Sequence, residues 1–316
     1  MKLYLTGGSG FLGSNMIRVA REDYGWAVFT TVNAWRASSP VDFAYERVDI
    51  GDRDAVLRSV QEIQPDAIVH SAILNDFDLM YRDRALAWRL YVEATRHLAD
   101  AANAAGCKIV LISTDWVFDG TQLGADESTP PNPVNYYGVL KVAGERVIAE
   151  RAHNGAVARV AGVNGVHWLR PDGAQTQNAG FGYLAAAVVA ALRQGGTAAV
   201  WSGPNINMRA TPSLASESAR MVMRIIEQDR QGIFHCTGGE AIGRTEFARL
   251  VAETFGYDAA AIRLVAHSAE VPEGVRIPYD TSLSAAQTAQ QLGYRLPSVR
   301  EMVAALKEQI TTGRLA

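Results

Sequence analysis

The chain has 316 residues, 48% of them hydrophobic and 20% charged, with a net charge of −3. A near-neutral chain without runs of Lys or Arg lacks the electrostatic footprint of a nucleic-acid or membrane-surface partner. No apolar run reaches the roughly 18–20 residues a membrane-crossing helix needs; and because Met1 leads directly into an apolar strand there is no room for a signal peptide, so a cytoplasmic protein is expected.

The first apolar run, Lys2–Thr6, enters a glycine turn, Gly7-Gly-Ser9-Gly10-Phe11-Leu12-Gly13, and a helical pattern over 11–22 follows. Glycines three apart between a strand and a helix make a tight turn, let backbone approach a pyrophosphate and aim a helix N-terminus at it. Next come strands at Ala27–Val32 and Phe43–Val48, then a helix over 53–63 capped by Asp52, with Val56, Leu57, Val60 and Ile63 on its apolar face. A strand at Ala67–His70, a helix over 82–105, a strand at Lys108–Ser113, a helix over 136–152 and a strand at Ala156–Val160 complete the first half. This alternation predicts an α/β fold, a doubly wound parallel sheet of Rossmann type.

From Gly162 the rhythm loosens. Residues 162–180 are rich in Gly, Asn, Gln and Pro, and so long a loop beside a cofactor domain reads as a lid or substrate wall. Helices follow at 181–193 and near 214–228, then a strand at Ile233–Cys236 and a helix opened by Thr245 with Phe247, Leu250 and Val251 inward. The last helix starts at a capping box, Ser298-x-x-Glu301. The expected organisation is a dinucleotide-binding domain over 1–161 and a smaller substrate-binding lobe over 162–316, with segments near 195–235 returning to the first domain. Cys107 and Cys236 sit beside apolar strands and read as buried thiols. His70, His153, His167, His235 and His267 lack metal-ligand spacing, and each reads as structural; no metal is called for.

In a Rossmann unit an acidic residue about 20 positions after the glycines holds the ribose 2′-hydroxyl of NAD. Here that count lands on Asn33, and Arg36 follows, a guanidinium suited to a 2′-phosphate. NADP(H) is therefore preferred, with NAD(H) possible. At Ser113-Thr114-Asp115-Trp116-Val-Phe-Asp-Gly120 an apolar strand ends, and Tyr137-Gly-Val-Leu-Lys141 lies downstream. A Tyr and a Lys four apart share one helix face. The ammonium is expected to lower the phenol from about 10 toward neutrality, and Thr114 can offer a hydroxyl to the same carbonyl oxygen.

These motifs resemble those of the extended short-chain dehydrogenase/reductases and, within them, the dTDP-4-dehydrorhamnose reductase (RmlD-like) family. The narrower match lies in Ser-Thr-Asp-x-Val-Phe-Asp-Gly at 113–120, Pro133-Val-Asn135-Tyr-Tyr137-Gly, Gly144-Glu145, Gly232-Ile-Phe-His235-Cys-Thr-Gly238 and Asp280-Thr-Ser282, nearly the whole chain. The resemblance implies hydride transfer from nicotinamide C4 to a ketone, with Tyr137 as proton donor, Lys141 tuning it and holding the nicotinamide ribose, and Thr114 fixing the carbonyl. It implies Gly7, Ser9, Gly10, Phe11, Leu12 and Gly13 at the pyrophosphate, Asp49 and Ile50 at the adenine, and Ser71 and Ala72 along the dinucleotide. It implies Asp115, Trp116 and Arg209 at a nucleotide 4-keto sugar or another ketone, Arg209 also being open to a salt bridge within the lobe. A homodimer through the helices at 82–105 and 136–152 is implied too.

Trp116 stands where related dehydratases carry a Glu, so the base needed for water elimination is missing, which speaks against dehydration. Tyr91 stands where the family has an Asn that holds a proton-relaying water, and Leu140 where it has a Ser. Two other activities fit the resemblance. One is an NAD-dependent nucleotide-sugar epimerase. The other is a non-catalytic NADP-binding subunit like the beta subunit of methionine adenosyltransferase.

Overall fold

A computed structural model describes residues 1–35, 37, 41–171, 176–267 and 271–316. A seven-stranded parallel sheet forms its centre. In chain order its strands are β1 (Lys2–Thr6), β2 (Ala27–Val32), β3 (Ala44–Arg47), β4 (Ala67–His70), β5 (Lys108–Thr114), β6 (Gly155–Val160) and the late strand Gly232–His235. The spatial order is Gly232–His235, β6, β5, β4, β1, β2, β3, so the strand order reverses between β1 and β4. Ligands of open α/β sheets bind beyond the strand C-termini at such a reversal.

Both faces of the sheet are covered, and successive residues alternate between them. Leu3, Leu5, Val69, Val110, Ile112 and Ala158 join the core under α1 (Phe11–Glu22) and α8 (Ala215–Glu227). Tyr4, Ile68, Ile109, Leu111 and Val157 join the opposite core, with Val56 and Val60 of α2 (Arg53–Ile63) and Leu98 of α5 (Ala94–Ala105). Asp52 caps α2 as expected, its carboxylate accepting from the amides of Asp54 and Ala55.

The helix expected over 82–105 runs without a gap from Arg84 to Ala105, as α4 (Arg84–Trp88), a π-helical turn at Arg89–Glu93, and α5, and a separate short helix, α3 (Phe77–Arg82), precedes it. Asp83, at φ −123° and ψ 79°, separates α3 from α4 and turns its side chain to cap α4. The π turn carries Tyr91 and Val92 into the core, and such turns are enriched at functional sites.

The C-terminal lobe has its own core, with Leu184, Val188 and Leu192 of α7 (Leu184–Arg193), Phe247 and Val251 of α9 (Arg244–Thr254), and Met302, Val303 and Leu306 of α11 (Val299–Thr312). The helix expected to begin at Phe181 begins at Leu184, because Tyr183 takes a left-handed conformation (φ 63°) that interrupts it. That expected from Thr245 begins one residue earlier, with Gly243 as its cap. The capping box is present: Ser298 Oγ accepts from the Glu301 amide at 3.2 Å and Glu301 Oε2 accepts from the Ser298 amide at 2.8 Å. Among the described residues no helix is long and apolar enough to cross a membrane.

Ser298→Ala removes one half of this box, and a loss of about 1 kcal/mol is expected, read as a lowered midpoint in chemical denaturation at unchanged slope.

Candidate active site

The glycine turn is built on backbone contact. A Cβ at Gly13 would fall 2.2 Å from the Gly7 carbonyl oxygen, and one at Gly7 would fall 2.7 Å from Ala72 Cα. Gly7 also holds φ at 77°, which disfavours a side chain. At the start of α1, Gly10 has no side-chain cap and the first turn holds no acidic residue. The positive helix end and its free amides are left for an anion. The turn thus fits a dinucleotide pyrophosphate, held by backbone from Gly7 to Gly13.

One cleft of about 760 Å³ runs from this turn along the strand ends. It is lined by every residue from Ser9 to Gly13, by Gly7, and by Asn33, Asp49, Ile50, Ser71 and Ala72 at the dinucleotide positions, with Thr114, Asp115, Tyr137 and Lys141 at its far end. Thr6 ties its floor together: its hydroxyl accepts from the Ser71 and Ala72 amides at 3.2 Å and shares a 2.8 Å bond with His70 Nδ1. His70 itself is buried and driven down to about 3 by desolvation, so it stays neutral. Arg36 lies outside the described residues.

Asp115 is buried, and desolvation pushes its carboxyl up to about 6 even though the Thr114 hydroxyl donates to it at 2.9 Å. Tyr137 and Lys141 lie on α6 (Tyr136–Arg151), which the Asn135 side chain caps by accepting from the Gly138 amide at 2.9 Å. Lys141 Nζ donates to the Ile112 carbonyl at 3.0 Å and sits 5.3 Å from the Tyr91 ring centre and 5.8 Å from that of Tyr137.

The expected lowering of the Tyr137 phenol does not occur here. Burial raises it well above 10, and the hydrogen bond with Thr114 offsets only part of that rise. The cause is an aromatic enclosure: Phe77, Tyr91 and Trp116 stand 5.9, 6.0 and 5.9 Å from the Tyr137 ring, the last two nearly perpendicular to it. Desolvation disfavours phenolate more than a neighbouring ammonium favours it. The same burial brings Lys141 down to about 8. The phenol therefore keeps its proton and can donate it.

Trp116 packs against Tyr137 and Phe77 and is not among the residues that line the cleft. Tyr91 turns its hydroxyl away from Lys141, donating to the Leu74 carbonyl at 3.1 Å. Arg209 is not brought to the cleft. It is half-exposed, with Nε 3.7 Å from the carboxylate of Asp280, on the strand that pairs with Arg209–Ala210.

Three cleft residues escaped sequence reasoning. Arg47 ends β3 directly opposite Val32, which puts a guanidinium beside Asn33. Arg89, on the π turn, lies 3.3 Å from Asp49. Tyr183 packs its ring 4.7 Å from that of Phe11, joining the lobe to the glycine turn. Strand register and a left-handed tyrosine leave no mark in a single sequence.

A family model described as RmlD substrate binding domain matches residues 1–312. The chain belongs to this family. Among curated proteins it is 26% identical over 309 residues to a probable low-salt glycan biosynthesis reductase of Haloferax volcanii, covering 97% of both chains. It is 26% identical to the methionine adenosyltransferase 2 subunit beta of Bos taurus, covering 94% of this chain and 84% of that one. The solved dTDP-4-dehydrorhamnose reductase of Bacillus anthracis, in complex with NADP, superposes with a TM-score of 0.75 at 21% identity, covering 98% of this chain and 99% of that chain. At that identity the likeness shows the shared Rossmann-type fold.

Gly13→Ala forces a methyl group into the Gly7 carbonyl. A loss of about 1–3 kcal/mol is expected, as for other overpacked positions, seen as a lower melting temperature together with loss of dinucleotide binding.

Proposed function

We propose that the protein is an NADP(H)-dependent reductase of a nucleotide-linked keto sugar. The observation that carries this reading is the convergence of a protonated, partly buried Tyr137, the Lys141 amine and the Thr114 hydroxyl at one end of a cleft whose other end is a pyrophosphate turn. Residues 1–161 supply the dinucleotide side, and the lobe from 162 onward supplies the substrate wall. Family membership and the glycan-reductase relative support the same chemistry.

The nicotinamide, when bound, supplies the hydride. The chain supplies position and protons. Thr114 and Tyr137 offer two hydroxyls to one substrate oxygen, and Tyr137 delivers its proton there as charge builds. A positioned acid of this kind contributes roughly 10²–10⁴-fold in rate. Below about pH 8 Lys141 carries a positive charge that stabilises the phenolate left behind. Trp116 offers no carboxylate to draw a proton from a sugar carbon, so the site suits reduction better than dehydration. At the adenosine end Asn33 brings no carboxylate to repel a 2′-phosphate, and Arg47 beside it can bind one.

A second reading rests on the methionine adenosyltransferase beta relatives: a dinucleotide-binding subunit that serves a partner enzyme. The two part on one assay. NADPH consumption with a panel of nucleotide 4-keto sugars supports the reductase; tight NADPH binding with no consumption by any of them supports the subunit.

Tyr137→Phe is expected to lower turnover by at least roughly 10²-fold while leaving the NADPH dissociation constant within about twofold; retained turnover removes Tyr137 as proton donor. Arg47→Ala is expected to weaken NADPH binding roughly tenfold, the size of one charged hydrogen bond, and NADH binding hardly at all. Equal losses for the two nucleotides, measured by fluorescence titration, would place Arg47 away from the 2′-phosphate.

A further inference from the structure

Behind the cleft lies a string of buried polar groups that the proposed chemistry does not use. Glu145 is on α6 one turn beyond Lys141, on the face that also carries Tyr137. Its carboxylate accepts three hydrogen bonds: from Arg159 Nε at 2.9 Å, from Arg159 Nη2 at 2.7 Å and from Ser113 Oγ at 2.5 Å. Arg159, on β6, is fully buried, and Glu145 is 6% exposed. Behind Arg159 stands His235, whose Nε2 is 3.4 Å from Arg159 Nη1 and whose Nδ1 is 2.9 Å from the Ser284 carbonyl. A guanidinium can only donate, so Nε2 accepts and Nδ1 carries the proton. This histidine is neutral, its basicity depressed by burial.

We propose that Glu145 is a positioning residue: clamped by Arg159 and tied to Ser113, it holds the end of β5 against α6 and keeps the Lys141 side chain charged where the reaction needs it. The consequence for catalysis rests on the reductase reading; the charge coupling itself does not.

The geometry supports this in two ways. Ser113 immediately precedes Thr114, and both line the cleft, so the Ser113–Glu145 bond fixes the strand end against the helix that carries Tyr137 and Lys141. A bidentate fork of this kind fixes the plane of the carboxylate as well as its place. The charges around Lys141 then leave one anion to act on it. From α6 come Tyr137, protonated, and Glu145. From the π turn comes the neutral Tyr91, from β4 the neutral His70, and from β5 an uncharged carbonyl, that of Ile112. Asp115 acts on Tyr137 instead. Burial pulls Lys141 down and Glu145 is the group that holds it up. Arg159 pairs with that carboxylate at 2.7 Å out of water, where an unpaired charge would be costly.

The chain has four lysines, Lys2, Lys108, Lys141 and Lys307, so protein labelled with ¹³C at lysine Cε gives a spectrum in which Lys141 can be titrated directly. A midpoint near about 8 is expected for the unaltered protein. In Glu145→Gln, which preserves shape and can still accept from Ser113, the midpoint is expected to fall by about one pH unit, the effect of removing an opposite charge one helical turn away. An unchanged midpoint would overturn the proposal. So would an equal fall in Glu150→Gln, an exposed site on the same helix, because the effect would then be one of net charge. If Glu145→Gln fails to fold, Glu145→Asp is read in its place: the charge stays but withdraws by one methylene, and a smaller fall in the same direction is expected, no change being the overturning result. Absence of turnover in the unaltered protein would remove the reductase reading and leave this titration standing.

Discussion

The arrangement of this molecule depends on backbone touching backbone at the end of β1. Gly13 meets the Gly7 carbonyl and Gly7 meets Ala72 Cα, with no room for a methyl group at either place. Because strand, helix and the end of β4 meet without side chains between them, α1 lies flat on the sheet and its uncapped N-terminus opens at the point where strand order reverses. The cleft therefore follows from topology and three small residues rather than from any one binding side chain. Both sheet faces must then be apolar, which is why β1, β4 and β5 are buried nearly throughout.

At the far end of that cleft, burial divides the work between two groups on one helix. It moves an acid and a base in opposite directions, because each loses most in its charged form. Tyr137 is pushed up and Lys141 is brought down to about 8. A phenol whose proton is lost in advance cannot serve as a donor, so the upward shift suits reduction of a ketone. On the proposed reading the Lys141 charge, present below about pH 8, acts when the proton leaves and phenolate forms. Phe77, Tyr91 and Trp116 surround the Tyr137 ring, and Tyr91 also faces Lys141.

The fold was legible because its signals are periodic or local. Strand–turn–helix spacing marked the glycine turn, the Asp52 cap and the Ser298–Glu301 box were readable as single motifs, and alternation of strands and helices implied the parallel sheet. The misread elements are those set by long-range geometry. A π-helical turn at Arg89–Glu93 widens a helix whose pattern reads as regular, and Tyr183 delays the start of another by adopting a left-handed backbone. Within the site, Tyr137, Lys141 and Thr114 were marked by their spacing. Arg47 could be found only from its register with Val32, and the rise of the Tyr137 phenol only from three rings drawn in from three distant segments.

The cleft wall at Gly182 and Tyr183 is held by a different kind of interaction. Arg244, the first residue of α9, is fully buried, and its guanidinium donates to the carbonyls of Gly180 at 2.6 Å, Asn178 at 2.8 Å and Asn207 at 3.2 Å. Burial lowers it only to about 10, so it stays charged in the lobe interior. A cation gripped by carbonyl dipoles fixes the path of an irregular segment without prescribing its side chains. The gripped segment runs straight on through Phe181, anchored in the lobe core beside Phe247, to Gly182 and Tyr183 on the cleft wall. Side chains before Tyr183 can thus vary while the wall keeps its shape, which on the proposed reading leaves substrate choice to the stretch of chain that sequence patterns describe least.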